Sequence, residues 1–224
     1  MAVEAHFSPE LFHFLTQLKR NNRRDWFLRN KPRYEALVKE PCLRFIADFA
    51  QPLYGISPYL TADPRPQGGS LLRIYRDIRF SHDKRPYKTN AGMHFSHSGA
   101  RKDIHVPGYY LHLAPDGCFA AAGSWHPDTR SLLRIRQAIV RQPEVWAKAR
   151  RGLELEGDKL TRPPRGYDCN HRFIEDLKFK DFIVSVEFSQ KQVCRRQFMA
   201  DFTAACRKMS PLVEFLARAQ GLKF

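Results

Sequence analysis

The sequence predicts an α+β fold, with a central, mainly antiparallel sheet flanked by N-terminal and C-terminal helices. Three observations carry this. Between about residues 92 and 124, short runs of alternating pattern follow one another with tight turns between them, which is how antiparallel strands are joined. The segments on either side carry apolar residues at helical spacing. Strand-like and helix-like runs are grouped along the chain, the arrangement of an α+β protein.

Taken in order, Ser8 is a helix cap with Pro9 at the first helical position, and Leu11, Phe12, Phe14, Leu15 and Leu18 form the apolar stripe. Asn21 and Asn22 end that helix. Asp25 caps a short turn carrying Trp26 and Phe27, and Pro32 starts a helix continued by Tyr34, Leu37 and Val38. Pro41 is expected to kink or restart it before the stripe Phe45, Ile46, Phe49 and Leu53. Residues 55–69 read as loop and match neither phosphate-binding glycine pattern. Residues 70–80 read as a strand, followed by a polar turn over 81–90 stiffened by Pro86. Further strands are expected over 92–96, 108–114 and the small-residue run 118–124, with a hairpin turn at 114–117. Trp125-His126-Pro127-Asp128 opens a helix lined by Leu132, Leu133, Ile135, Ile139 and Val140, and Pro143 starts another. After a polar stretch over 152–172, residues 179–188 form a strand. Ser189 then caps the last long helix, which Ser210-Pro211 restarts. With no repeat, low-complexity segment or boundary, residues 1–224 read as one domain.

Formal net charge is +15, which favours an acidic partner such as nucleic acid or a phosphorylated ligand. The five cysteines are irregularly spaced and include no C-x-x-C pair. That argues against a zinc knuckle or disulfide framework and for reduced thiols in the cytoplasm. No window is apolar enough for a membrane span, and the N-terminus lacks the apolar run of a signal peptide.

The chemistry concentrates in residues 70–90, where Ser70 to Lys88 hold six Lys or Arg and two Asp. On an extended strand, Leu72, Ile74, Ile78 and Phe80 share one face with Arg76, and Arg73, Tyr75, Asp77 and Arg79 share the other. The expected ligand-binding residues are Arg73, Tyr75, Arg76, Arg79, Lys84, Arg85, Tyr87 and Lys88. Guanidinium groups bind phosphate in bidentate fashion, and tyrosines can stack on bases. The competing reading is an ion-pair ladder in which Asp77 and Asp83 hold the arginines. Asp77, Asp83 and His112 are the candidate acid–base groups for an enzyme acting on a phosphoester. The nine histidines show no H-E-x-x-H or H-x-H spacing, so neither a metal nor another cofactor is expected.

Several segments carry a resemblance: NNRRDWF at 21–27, RIYRDIRFSHDKRPYKTN at 73–90, PGYYLHL at 107–113, AAGSWHP at 121–127 and GYDCNHRFIEDLKFKDF at 166–182. In these the chain resembles a widespread family of conserved hypothetical proteins from bacteria and fungi. The last segment departs at Arg172, where a proline is expected. The resemblance covers nearly the whole chain and implies a shared site, with no assigned reaction. Three functions stay open: binding of nucleic acid or a phosphate-bearing ligand, phosphoester chemistry, and a structural role without a ligand.

Overall fold

In the computed structural model, which describes residues 4–100, 103 and 105–224, four strands form an antiparallel meander. They are β1 (Ala91–Ser96), β2 (Gly108–Ala114), β3 (Gly117–Ser124) and β4 (Phe182–Phe188), in that order across the sheet. The first three fall where alternation placed them. The fourth starts later than expected, because Phe179 enters only an isolated bridge to Lys159.

Period-2 alternation divides the sheet into two unlike faces. One face carries the rows Met93, Leu111, Ala120, Val186 and Phe95, Tyr109, Ala122, Val184. Almost all of these are buried. The other carries Gly92, His112, Phe119, Glu187, then His94, Tyr110, Ala121, Ser185, then Ser96, Gly108, Gly123, Ile183.

Helices cover the first face. N-terminal α1 (Pro9–Arg20), α2 (Arg24–Tyr34) and α3 (Glu40–Tyr54) pack from one end. Next come α4 (Thr129–Arg141), α5 (Pro143–Ala149), α6 (Ile174–Leu177), α7 (Gln190–Val193) and the long α8 (Phe198–Ala219), which lies against β3. Phe49 sits between Phe95 of the sheet and Phe202 of α8, with ring centroids 4.8 Å from each. Asp128 caps α4 by accepting from the Ser131 N–H at 2.6 Å. Among the described residues no helix is long and apolar enough to cross a membrane.

Several expectations are corrected. Residues 70–80 are not a regular strand. Ser70 and Leu72 bond to the edge of β1 (Leu72 N–H to Gly92 carbonyl 2.9 Å, His94 N–H to Ser70 carbonyl 2.8 Å). The chain then turns into an irregular hairpin paired only around Tyr75 and Tyr87, with Arg76 N–H to Pro86 carbonyl at 2.9 Å and Lys88 N–H to Ile74 carbonyl at 2.7 Å. The aspartates are the cause. Asp77 Oδ1 accepts the Arg79 N–H at 3.2 Å and Asp83 Oδ1 accepts the Arg85 N–H at 3.0 Å, so local turns replace ladder bonds. The expected face pattern fails with it: Ile74 is buried, while Phe80 is 95% exposed.

Proline positions shift as well. Pro32 lies inside α2, which begins at Arg24. Pro41, which cannot donate to the preceding turn, follows a π-turn at Glu35–Lys39, so the chain widens there and runs on into α3. Ser189 caps the short α7 through a capping box with Gln192, and α8 runs through Pro211 without restarting.

Candidate functional site

The uncovered sheet face has a hollow because its central residues are small. Gly108, Ala121 and Gly123 form its floor, and Tyr110, Phe119, Trp125, Ile183 and Leu72 rise around it. The glycines are required by strand packing. A Cβ on Gly108 would lie 2.5 Å from the Phe95 carbonyl oxygen, and one on Gly123, where φ is 126°, would lie 1.9 Å from that of Phe182. The resulting cleft has a volume of about 480 Å³, and its lining includes two titratable nitrogen-bearing side chains, Lys88 and His94.

Lys88 is placed by the N-terminal helices. Asn22, buried in the turn between α1 and α2, donates from its amide to the Tyr87 carbonyl at 2.9 Å and accepts the Tyr87 N–H at 3.0 Å. The Tyr87 ring stacks on Phe27 of α2 with centroids 4.1 Å apart. This clamp connects two of the motif segments, NNRRDWF and RPYKTN, and fixes the residue before Lys88. The Lys88 side chain is half-buried and makes no hydrogen bond or ion pair among the described residues. Burial first, and the charge of Arg73 second, lower the pKa of its ammonium.

His94 faces Tyr110 across the β1–β2 ladder. Burial pushes its pKa down to about 4, against a weaker opposing pull from Asp103, so the imidazole is neutral at neutral pH. Neither ring nitrogen is bonded among the described residues. The Tyr110 ring lies across Gly92, where a Cβ would come within 2.5 Å of its hydroxyl. That hydroxyl hydrogen-bonds His112 Nδ1 at 3.1 Å, and His112 in turn stacks on Phe119 with centroids 4.6 Å apart. Burial also lowers the His112 pKa. At the rim, Trp125 is packed between His105 and His126.

The residues singled out from the sequence separate into groups. Arg79 is held by Asp77 at 2.7 Å, and Asp83 is shared by Arg85 at 2.6 Å and Arg76 at 2.7 Å. Arg76 also donates to the Arg85 carbonyl at 3.1 Å, and Lys84 to that of Ile78 at 3.1 Å. The Arg79 hydrogen bond holds the Asp77 pKa down at about 2, and Arg85 with Arg76 holds Asp83 well below the usual carboxylate range. Arg73 and Tyr75 line a neighbouring groove of about 360 Å³ with Tyr34, Lys31 and Lys39. Tyr87 is a buried support. Of the expected ligand-binding residues, Lys88 lines the cleft. The contacts of Asp77 and Asp83 are with arginines, whereas His112 meets Tyr110 and Asn90, so the three acid–base candidates are not brought together. Among the described residues no group of three or more His, Cys, Asp or Glu is arranged to hold a metal.

Asn22, Trp125 and the bare glycine floor were not singled out from the sequence as site residues. The available signal was the period-2 partner of the apolar face. It places His94, Tyr110 and Ala121 in one row, with Gly108 and Gly123 in the next.

Fold and site together define an α+β protein with a cleft on the open face of an antiparallel sheet, bordered by a basic hairpin. The chain belongs to the family of conserved hypothetical proteins designated DUF2461, whose model matches residues 10–215. No curated protein and no solved structure matches it.

Proposed function

We propose that the protein binds a small phosphate-bearing ligand in the cleft on the open sheet face, with Lys88 as the cation that meets the phosphate. The observation that carries this reading is the contrast between Lys88 and its neighbours. Arg76, Arg79 and Arg85 are occupied by Asp77 and Asp83, while Lys88 is half-buried in an apolar hollow without a counter-charge among the described residues. A buried cation kept without a partner costs folding free energy, and an anionic ligand supplies what is missing. The reading places the protein in the cytoplasm, in keeping with five free cysteines.

The test is Lys88→Met. Phosphate compounds such as ribose 5-phosphate should raise the melting temperature of the wild type. The variant should bind them at least ~10-fold more weakly, about 1.4 kcal/mol, while melting no lower. Absence of binding at millimolar ligand, or equal binding by the variant, would remove the proposal.

A second reading is favoured by Phe80, 95% exposed at the tip of the basic hairpin, with Tyr75 half exposed behind it. Exposed rings among cations suit stacking on single-stranded nucleic acid. Phe80→Ala should then weaken oligonucleotide binding several-fold and leave small phosphates unaffected. Equal oligonucleotide binding by the two proteins would dismiss this second reading.

A further inference from the structure

We propose that the ligand of the cleft is a nucleoside monophosphate, its base lying flat on the Gly108–Ala121–Gly123 floor with an edge on His94 and its phosphate on Lys88. This rests on the reading of the cleft as a phosphate-ligand site and adds what the rest of the ligand must be. The shape argument comes from the floor. Gly108 and Gly123 add no side chain to it and Ala121 adds one methyl, so it offers a flat peptide surface. Tyr110, Phe119 and Trp125 stand around it as walls. Such a site favours a planar ring over a branched or spherical group. Its volume of about 480 Å³ lies within the range of small-ligand pockets.

The polar argument comes from His94. It lines the cleft, and neither of its nitrogens has a partner among the described residues. Being neutral, it offers one donor and one acceptor, which pair with the donor and acceptor groups on the edge of a nitrogen heterocycle. A phosphate would instead select a cation, and that role falls to Lys88 on the same wall. One cation in the hollow suits one phosphate, whereas a polymer would need a track of them.

Calorimetry on the full chain decides this with the four common ribonucleoside monophosphates, ribose 5-phosphate, adenosine and inorganic phosphate as probes. At least one nucleotide should bind ~10-fold or more tightly than ribose 5-phosphate. His94→Phe keeps a ring in place and should remove most of that preference while leaving ribose 5-phosphate binding unchanged. The wild-type ratio alone is decisive if the variant does not fold. If ribose 5-phosphate binds as tightly as every nucleotide, or if the preference survives in a folded His94→Phe protein, the nucleotide inference is wrong and the phosphate reading stands. If none of the phosphate compounds binds, both fall together.

Discussion

His94 and Lys88 are ionisable groups whose charged forms are disfavoured by burial, and each makes a separate statement about stability. For His94 the sign follows from its pKa, 6.5 when unperturbed and about 4 in the fold. As pH falls below about 6.5 the unfolded chain takes up the proton first, so stability is fully present above that value and is lost progressively down to about pH 4. The loss attributable to this one group is on the order of 3 kcal/mol. Burial lowers the His112 pKa as well and adds to the trend in the same direction. Melting curves between pH 7 and pH 4.5 should therefore fall more steeply for the wild type than for His94→Phe. Parallel curves would show that His94 does not titrate as a buried group. Asp77 and Asp83 behave differently. Their carboxylates are stabilised by exposed guanidinium pairs, whose net contribution to stability is small.

At the level of elements, the hairpin over 70–90 depends on α1 and α2 for its position. Two hydrogen bonds between the Asn22 side chain and the Tyr87 backbone, and the stacked Phe27 ring, connect these helices to Tyr87. Asn22→Leu leaves the Tyr87 N–H and carbonyl without partners in a buried setting, at about 1–3 kcal/mol for each group that water does not reach. The expected result is a clear drop in melting temperature together with weaker phosphate binding, although Asn22 does not line the cleft. Unchanged melting would mean that the clamp is not formed in solution. A drop in melting without any effect on ligand affinity would separate the hairpin's stability from the placement of Lys88.

On the scale of the whole molecule, the relevant quantity is the net charge of +15, from 38 Lys and Arg against 23 Asp and Glu. Much of the hairpin charge is neutralised locally, so the excess acts as a general field rather than a built site. Any oligonucleotide binding should therefore weaken steeply with salt, through counterion release from several phosphates. Binding of a single small phosphate in the cleft should change far less between 50 and 200 mM salt, since it involves about one contact. Titrations of both ligand types across that range would show it, and equal salt slopes would count against a discrete cleft site.

The sequence by itself determined the α+β class, the three consecutive strands over 92–124, the apolar stripes of the flanking helices and the family. These are local signals: strand alternation, helical spacing and motif spelling are all read within a few residues of one another. It also drew attention to residues 70–90, from which Lys88 reaches the cleft, without resolving the roles inside that segment. Whether an arginine faces a ligand or its own neighbouring aspartate depends on side-chain conformation, and Asp77 and Asp83 bend the chain out of the extended pattern that residues 70–80 suggest. Only the tertiary structure brought Lys88, His94, Tyr110 and Trp125 around one hollow, because they come from the hairpin, two different strands and the segment that follows β3. The floor was equally hidden. In the sequence Gly108, Ala121 and Gly123 are merely small residues. They come together because pairing puts them side by side on the sheet face opposite the one that α1, α3 and α8 pack against.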